Sequence, residues 1–155
     1  LPHLMSQRVN FSAGERKRYA EIMGLKQAVY DVVLRNLRSA VRLVRDNGWP
    51  CIVNMNLVCD PKDADQLVPF ARLAKDLGVH YAIIKQCAVD PDGVLDTDIS
   101  AYASIEPILK EAESLSDSTT KIVVKWDKIR KAGQRLAGGS CGKASSLSLA
   151  ISGIL

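Results

Sequence analysis

The chain has 155 residues, 47% hydrophobic and 25% charged, which are the proportions of one ordinary globular domain and exclude a disordered tail, a collagen and a coiled coil. Its 21 Lys and Arg against 17 Asp and Glu leave a net charge of +4 spread along the chain, so no basic stripe marks a nucleic-acid surface. No apolar run reaches the roughly 18 residues of a membrane span, and Leu1 to Arg8 lacks the basic-then-apolar order of a secretory signal; the expectation is a cytoplasmic protein with no membrane partner.

In chain order, Val9 to Phe11 reads as a strand, Ser12-Ala13-Gly14 as a turn and Glu15 to Met23 as a helix. From Ala28 to Asn47 the apolar residues Val29, Val32, Val33, Leu37, Ala40, Val41 and Val44 recur at three-and-four spacing, and Asn47-Gly48 supplies a C-terminal stop; this is the clearest helix. Cys51 to Cys59, bounded by Trp49-Pro50 and Asp60-Pro61, has the length of a buried strand. Asp63 is expected to cap a helix from Ala64 to Leu77, followed by a strand from Val79 to Gln86. Asp90 to Asp98 lacks the glutamate and spacing of an EF-hand and reads as a solvated turn. A helix over Ile99 to Ser114 must break or begin at Pro107, and Lys121 to Trp126 reads as the last strand. Lys125 to Lys131 is read as the solvated end of that strand.

Strands alternating with helices predict the α/β class, with right-handed βαβ units building a parallel sheet. Beyond Lys131 glycines and serines replace the periodic pattern, so residues 1–130 are expected to form one unit and 131–155 a glycine-rich tail or the edge of another domain. The chain opens on Leu and closes on Ile151-Ser152-Gly153-Ile154-Leu155, which reads as the interior of a longer protein.

Alternation of strand side chains puts Arg8, Asn10 and Ser12 on one side, with Ile52, Asn54, Asn56 and Val58 from the second strand and Tyr81, Ile83, Lys85 and Cys87 from the third. Inside a fully covered sheet each of these polar groups would need a partner, since an unpaired one costs about 1 to 3 kcal/mol. A half-barrel whose lumen holds a polar ligand supplies such partners, and ligands of α/β folds sit at the carboxyl ends of strands. Asn10, Ser12, Asn54, Asn56, Lys85 and Gln86 are therefore the candidate site. His3 and His80 have no companion at metal-ligand spacing, and Cys51, Cys59, Cys87 and Cys141 lack the close pairing of a zinc knuckle or redox motif.

Arg8-Val9-Asn10-Phe11-Ser12-Ala13-Gly14 followed by Tyr19-Ala20-Glu21-Ile22-Met23-Gly24 resembles the fourth strand and next helix of radical S-adenosylmethionine (radical SAM) enzymes. Leu37 to Gly48, Asn54 to Val58 and Asp60-Pro61 are similar to the family's fourth helix and fifth strand, and Leu73 to Lys85 to its next helix and sixth strand. Val123 to Ile129 adds to the likeness. The resemblance implies the C-terminal half of a six-stranded, TIM-like partial barrel that cleaves S-adenosylmethionine reductively and abstracts a substrate hydrogen. It implies Asn10 and Ser12 at the ribose or carboxylate, Asn54 and Asn56 at the nucleoside, and Ile84, Lys85 and Gln86 at the adenine or substrate. A peptide or small-molecule substrate and an electron donor would be the partners. The C-x-x-x-C-x-x-C motif that holds the family's [4Fe-4S] cluster is absent from this chain, so the main cluster would belong to the missing N-terminal half of the barrel. Cys141, with eleven residues before Gly153, resembles the first ligand of a SPASM or twitch auxiliary cluster, and is alternatively a free thiol in a glycine-rich loop. Two other functions remain open: a non-catalytic α/β binding or interaction domain, and an aldolase-type barrel fragment using Lys85 as a Schiff-base amine.

Overall fold

The computed structural model describes residues 1–87 and 97–134. Four strands, β1 (Ser6–Asn10), β2 (Ile52–Cys59), β3 (Tyr81–Gln86) and β4 (Lys121–Val124), form one sheet in the order of the chain, and every neighbouring pair is parallel. Helices α1 (Arg16–Met23), α2 (Gln27–Asp46), α3 (Leu67–Leu77) and α4 (Glu106–Ser114) lie between strands, and α5 (Trp126–Gln134) follows the last. The α/β class with a parallel sheet is thus as expected.

The order decides where the helices go. Parallel crossovers share one hand, so a sheet that always adds its next strand on the same side places every crossover on the same face. Burial follows that geometry. Val53, Met55, Leu57 and Cys59 of β2, Ala82 and Ile84 of β3, and Ile122 and Val124 of β4 are all buried in a core shared with Leu37, Val41, Val44, Leu67, Phe70, Ala74 and Leu109 of the helices. Fully burying one such side chain contributes about 1.5 to 3 kcal/mol. The opposite face carries no helix of this core, and three large apolar residues on it, Ile52, Val58 and Tyr81, are 38%, 40% and 40% exposed.

Several local expectations need correction. The first strand is Ser6–Asn10, with Phe11 just beyond it and fully buried. Asp60 rather than Asp63 caps the next helical segment: its side chain accepts from the Lys62 N–H at 3.2 Å and opens a 3₁₀ turn over Pro61–Gln66, while Asp63 lies inside that turn and accepts from Arg18 at 2.8 Å. The third strand starts at Tyr81. The helix begins at Glu106–Pro107 as expected, with the proline in the first turn of α4 where its missing N–H costs nothing, but Ile99–Ala103 is a separate 3₁₀ turn capped by Asp98. The fourth strand stops at Val124. Trp126 and the charged run after it form α5, which buries Ile129 and continues past residue 130. Residues 88–96, which hold most of the Asp90 to Asp98 segment, and 135–155, which hold Cys141 and Gly153, lie outside the described residues.

Candidate functional site

Register fixes which side chains share the helix-free face. Arg8 stands opposite Asn54, Asn54 opposite Tyr81 and Tyr81 opposite Lys121, forming one row across all four strands. Asn10, Asn56, Ile83 and Val123 form the next row toward the carboxyl ends, and Val58 and Lys85 start a third. Asn10, Asn54, Asn56 and Lys85 are therefore brought together as the alternation predicts. Ile84 and Gln86 are not: they flank Lys85 in sequence and face the helices, Ile84 with 0% exposure in the core. Ser12 lies past the strand, where its hydroxyl donates to Met23 Sδ at 3.0 Å.

Asn54 and Asn56 are 7% and 4% exposed, and the Oδ1 of each is buried without a hydrogen-bond partner among the described residues. Each such acceptor costs about 1 to 3 kcal/mol relative to a satisfied one. Gln7 and Gln86 Oε1, on the helix side, are unpartnered as well, but only Asn54 and Asn56 are adjacent on the helix-free face, where water or a ligand can donate to both. Lys85 is half-buried and has no ion-pair or hydrogen-bond partner among the described residues.

At the carboxyl ends of β2 and β3 a cleft of about 440 Å³ opens beside this face, lined by Arg18, Ile22, Val58, Asp60, Asp63 and Cys87 among others. Its cations are already held, Lys62 by Asp60 at 3.2 Å. Arg18 binds Asp63 at 2.8 Å and Asp65 and Glu21 at 3.0 Å, and these hydrogen bonds, that to Asp65 foremost, push its pKa above the ordinary arginine value. The buried Gln66 joins this cluster to α1: its Oε1 accepts from the Glu15 N–H at 3.1 Å and its Nε2 donates to Asp65 at 2.8 Å and Glu15 at 3.1 Å. Tyr102 ties the same strand ends together. Its hydroxyl donates to the Cys59 carbonyl at 2.6 Å and accepts from the Cys87 N–H at 2.8 Å, and burial raises its pKa. Neither Gln66 nor Tyr102 is marked by a local motif. Tyr102→Phe removes the donor to a buried carbonyl and is expected to cost about 1 to 2 kcal/mol, read as a lower urea midpoint; an unchanged midpoint would show that this clasp contributes nothing.

Among the described residues the thiols are a poor match for iron. Cys51 and Cys59 are 1% and 2% exposed at opposite ends of β2, and no group of three His, Cys, Asp or Glu among the described residues could hold a metal ion. Burial, followed by the nearby Asp60 and Asp63 carboxylates, pushes the Cys59 thiol up to about 12. The unfolded chain releases this proton near pH 8.5 while the folded chain keeps it, so the resulting stability is full below that pH and declines as pH climbs toward the folded value. Urea midpoints measured under reducing conditions at pH 8 and pH 10 should fall more for the native chain than for Cys59→Ala; parallel falls would remove Cys59 as the cause.

No helix among the described residues is long and apolar enough to cross a membrane. No protein-family model matches the chain, and no curated protein matches it at a significant level.

Proposed function

We propose that this chain forms one side of a partial barrel of the radical SAM type and that its helix-free face holds the nucleoside of S-adenosylmethionine beside a substrate. The observation that carries the reading is the pair of buried, unpartnered Oδ1 atoms of Asn54 and Asn56 on that face. Ribose hydroxyls and the adenine amino group are donors of the kind these acceptors lack. Asn10 stands in the same cross-strand row as Asn56, and Lys85 in the row beyond, within reach of the same ligand.

Two further features support a barrel wall. A sheet wound in one direction with its helices outside is the arrangement that closes into a barrel, as opposed to the doubly wound sheet with helices on both faces. The outer edges of β1 and β4 carry no strand among the described residues, and a free edge beside a bare, partly apolar face needs cover. Strands from the N-terminal half of such a barrel would cover the β1 edge.

S-adenosylmethionine bound here would supply radical chemistry only beside a [4Fe-4S] cluster. The described residues do not fit the cluster, so its ligands would come from elsewhere in the complete protein. What these residues would do is bind and orient: the two amides fix the nucleoside, and Ile83 and Val58 give it an apolar floor.

Calorimetric titration of the full chain with S-adenosylhomocysteine, a stable stand-in for the cofactor, tests the reading. Asn54→Ala and Asn56→Ala should each weaken binding about five- to tenfold, the effect of roughly 1 to 1.4 kcal/mol per hydrogen bond. Because each variant also removes an unpartnered buried acceptor, neither should lower the urea midpoint appreciably. Absence of binding by the native chain, or binding that ignores both substitutions, overturns the proposal. Anaerobic purification of the complete protein should give about four irons per cluster; an iron-free protein that still binds the nucleoside would be a binding domain without the chemistry.

A further inference from the structure

The charges of the helix-free face say more about the substrate than the amides do. The positions that share this face are 6, 8 and 10 on β1, 52, 54, 56 and 58 on β2, 81, 83 and 85 on β3, and 121 and 123 on β4. Arg8, Lys85 and Lys121 are cations, and there is no Asp or Glu among them. None of the three cations has an ion-pair partner among the described residues, and no carboxylate shares their face.

Three like charges on one sheet face repel one another, and the repulsion grows when the face is covered and the dielectric falls. Negative charge placed among the three would relieve that repulsion, and a bound anion is one source of it. Arg8 and Lys121 end the row that contains Asn54 and Tyr81, three strand spacings or about 14 Å apart at the backbone. Long, flexible side chains shorten that gap at their tips, so a ligand of a few ångströms lying over Asn54 can be met from both sides. Arg offers a planar fork of donors to a carboxylate or phosphate, and Lys a mobile ammonium. Tyr81, 40% exposed between them, adds a hydroxyl.

We infer that the substrate held on this face is an anion, its carboxylate or phosphate groups taken by Arg8, Lys121 and Lys85. The inference rests on the ligand-binding reading above and names the substrate class for the same face. It assigns the centre and the rim of the site different tasks. Asn54 and Asn56 accept from uncharged donors at the centre, and the cations select for negative charge around them.

The full chain titrated with citrate and with tripolyphosphate at low ionic strength tests this, the two probes separating carboxylate from phosphate. The Arg8→Gln/Lys121→Gln and Lys85→Gln variants should each weaken the better probe at least tenfold, whereas Lys110→Gln on the outer side of α4 should leave it unchanged. Lysine acetylation of the native chain, read by peptide mass spectrometry, needs no variant: the bound probe should protect Lys85 and Lys121 and leave Lys110 and Lys17 reactive. Equal loss in the Lys110→Gln control, or protection spread over all four lysines, would mean unspecific charge attraction and overturn the inference. If S-adenosylhomocysteine binds and neither anion does, the inference falls and the nucleoside reading stands. If the anions bind as expected and the nucleoside does not, the charge selection stands and the nucleoside reading falls.

Discussion

Phe11→Ala is expected to remove about 3 to 5 kcal/mol, the range for deleting a large, fully buried aromatic side chain. Phe11 is 0% exposed and stands at the centre of three rings, 4.8 Å from Tyr19 and 5.3 Å from Tyr30 between centroids, with the two tyrosines 5.5 Å apart. Those rings join the end of β1 to α1 and α2. Each tilted or edge-on pair adds about 0.5 to 1.5 kcal/mol beyond the area it buries, so the substitution loses two pairs as well as leaving a cavity. Against the 5 to 15 kcal/mol that holds a typical domain together, this is about a fifth or more of the total. For a chain of this length it corresponds to a melting point lower by roughly 10 to 15 °C. Phe11→Leu, which refills most of the volume, should lose less than half as much. The effect should reach the site too, because the Phe11 N–H donates to the Asn56 carbonyl at 2.8 Å and holds β1 in register beside the two amides. Urea unfolding of both variants is the measurement, and a loss under about 1 kcal/mol for Phe11→Ala would show that the aromatic cluster is not a structural centre.

What could be read from the residues alone was whatever repeats at a fixed period. The helix near residues 28 to 47 declares itself because Leu37, Ala40, Val41 and Val44 must all be buried and the helical repeat puts them on one side. The polar face of the sheet declares itself for the same reason at period two: once β2 and β3 are recognised, Asn54, Asn56 and Lys85 have to share a side. The same alternation removes Ile84 and Gln86 from the group, since neighbours of Lys85 in a strand point the other way. β1 was harder to delimit because Ser6, Arg8 and Asn10 occupy an exposed face of an edge strand, which leaves only Gln7 and Val9 turned to the helices and no apolar run to mark its start. Capping was misplaced because Asp60 and Asp63 are chemically equivalent as caps; the choice is made by Arg18, forty-five residues from Asp63 in sequence, which takes Asp63 into an ion pair. Gln66 and Tyr102 act over 51 and 43 residues respectively, and no local pattern announces a partner at that distance.

Gly14→Ala should be nearly as damaging as loss of Phe11, although Gly14 is not among the glycines with positive φ. The reason is proximity. A Cβ built at Gly14 would lie 2.2 Å from the Pro69 carbonyl carbon, 2.3 Å from the Phe70 nitrogen and 2.6 Å from the Pro69 oxygen, all of them backbone atoms of α3. No side chain can rotate to relieve these contacts, so the turn before α1 must withdraw from α3 by about 1 Å to reach an ordinary separation. Overpacking of this kind costs about 1 to 3 kcal/mol by itself. Withdrawal also strains two bonds made at the same turn: the Tyr30 hydroxyl donates to the Gly14 carbonyl at 2.8 Å, and the Glu15 N–H donates to Gln66 Oε1 at 3.1 Å. Gln66 is only 1% exposed, so water cannot replace a lost partner, and each bond lost adds about 1 kcal/mol or more. The sum is about 3 kcal/mol or more. Gly24→Ala provides the contrast, because Gly24 has φ +63° but open space where a Cβ would go, and the left-handed conformation alone costs about 1 to 2 kcal/mol. Urea midpoints of the two variants separate the causes: close approach of α1 to α3 predicts the larger loss at Gly14, and a larger loss at Gly24 would place the demand for glycine in backbone conformation instead.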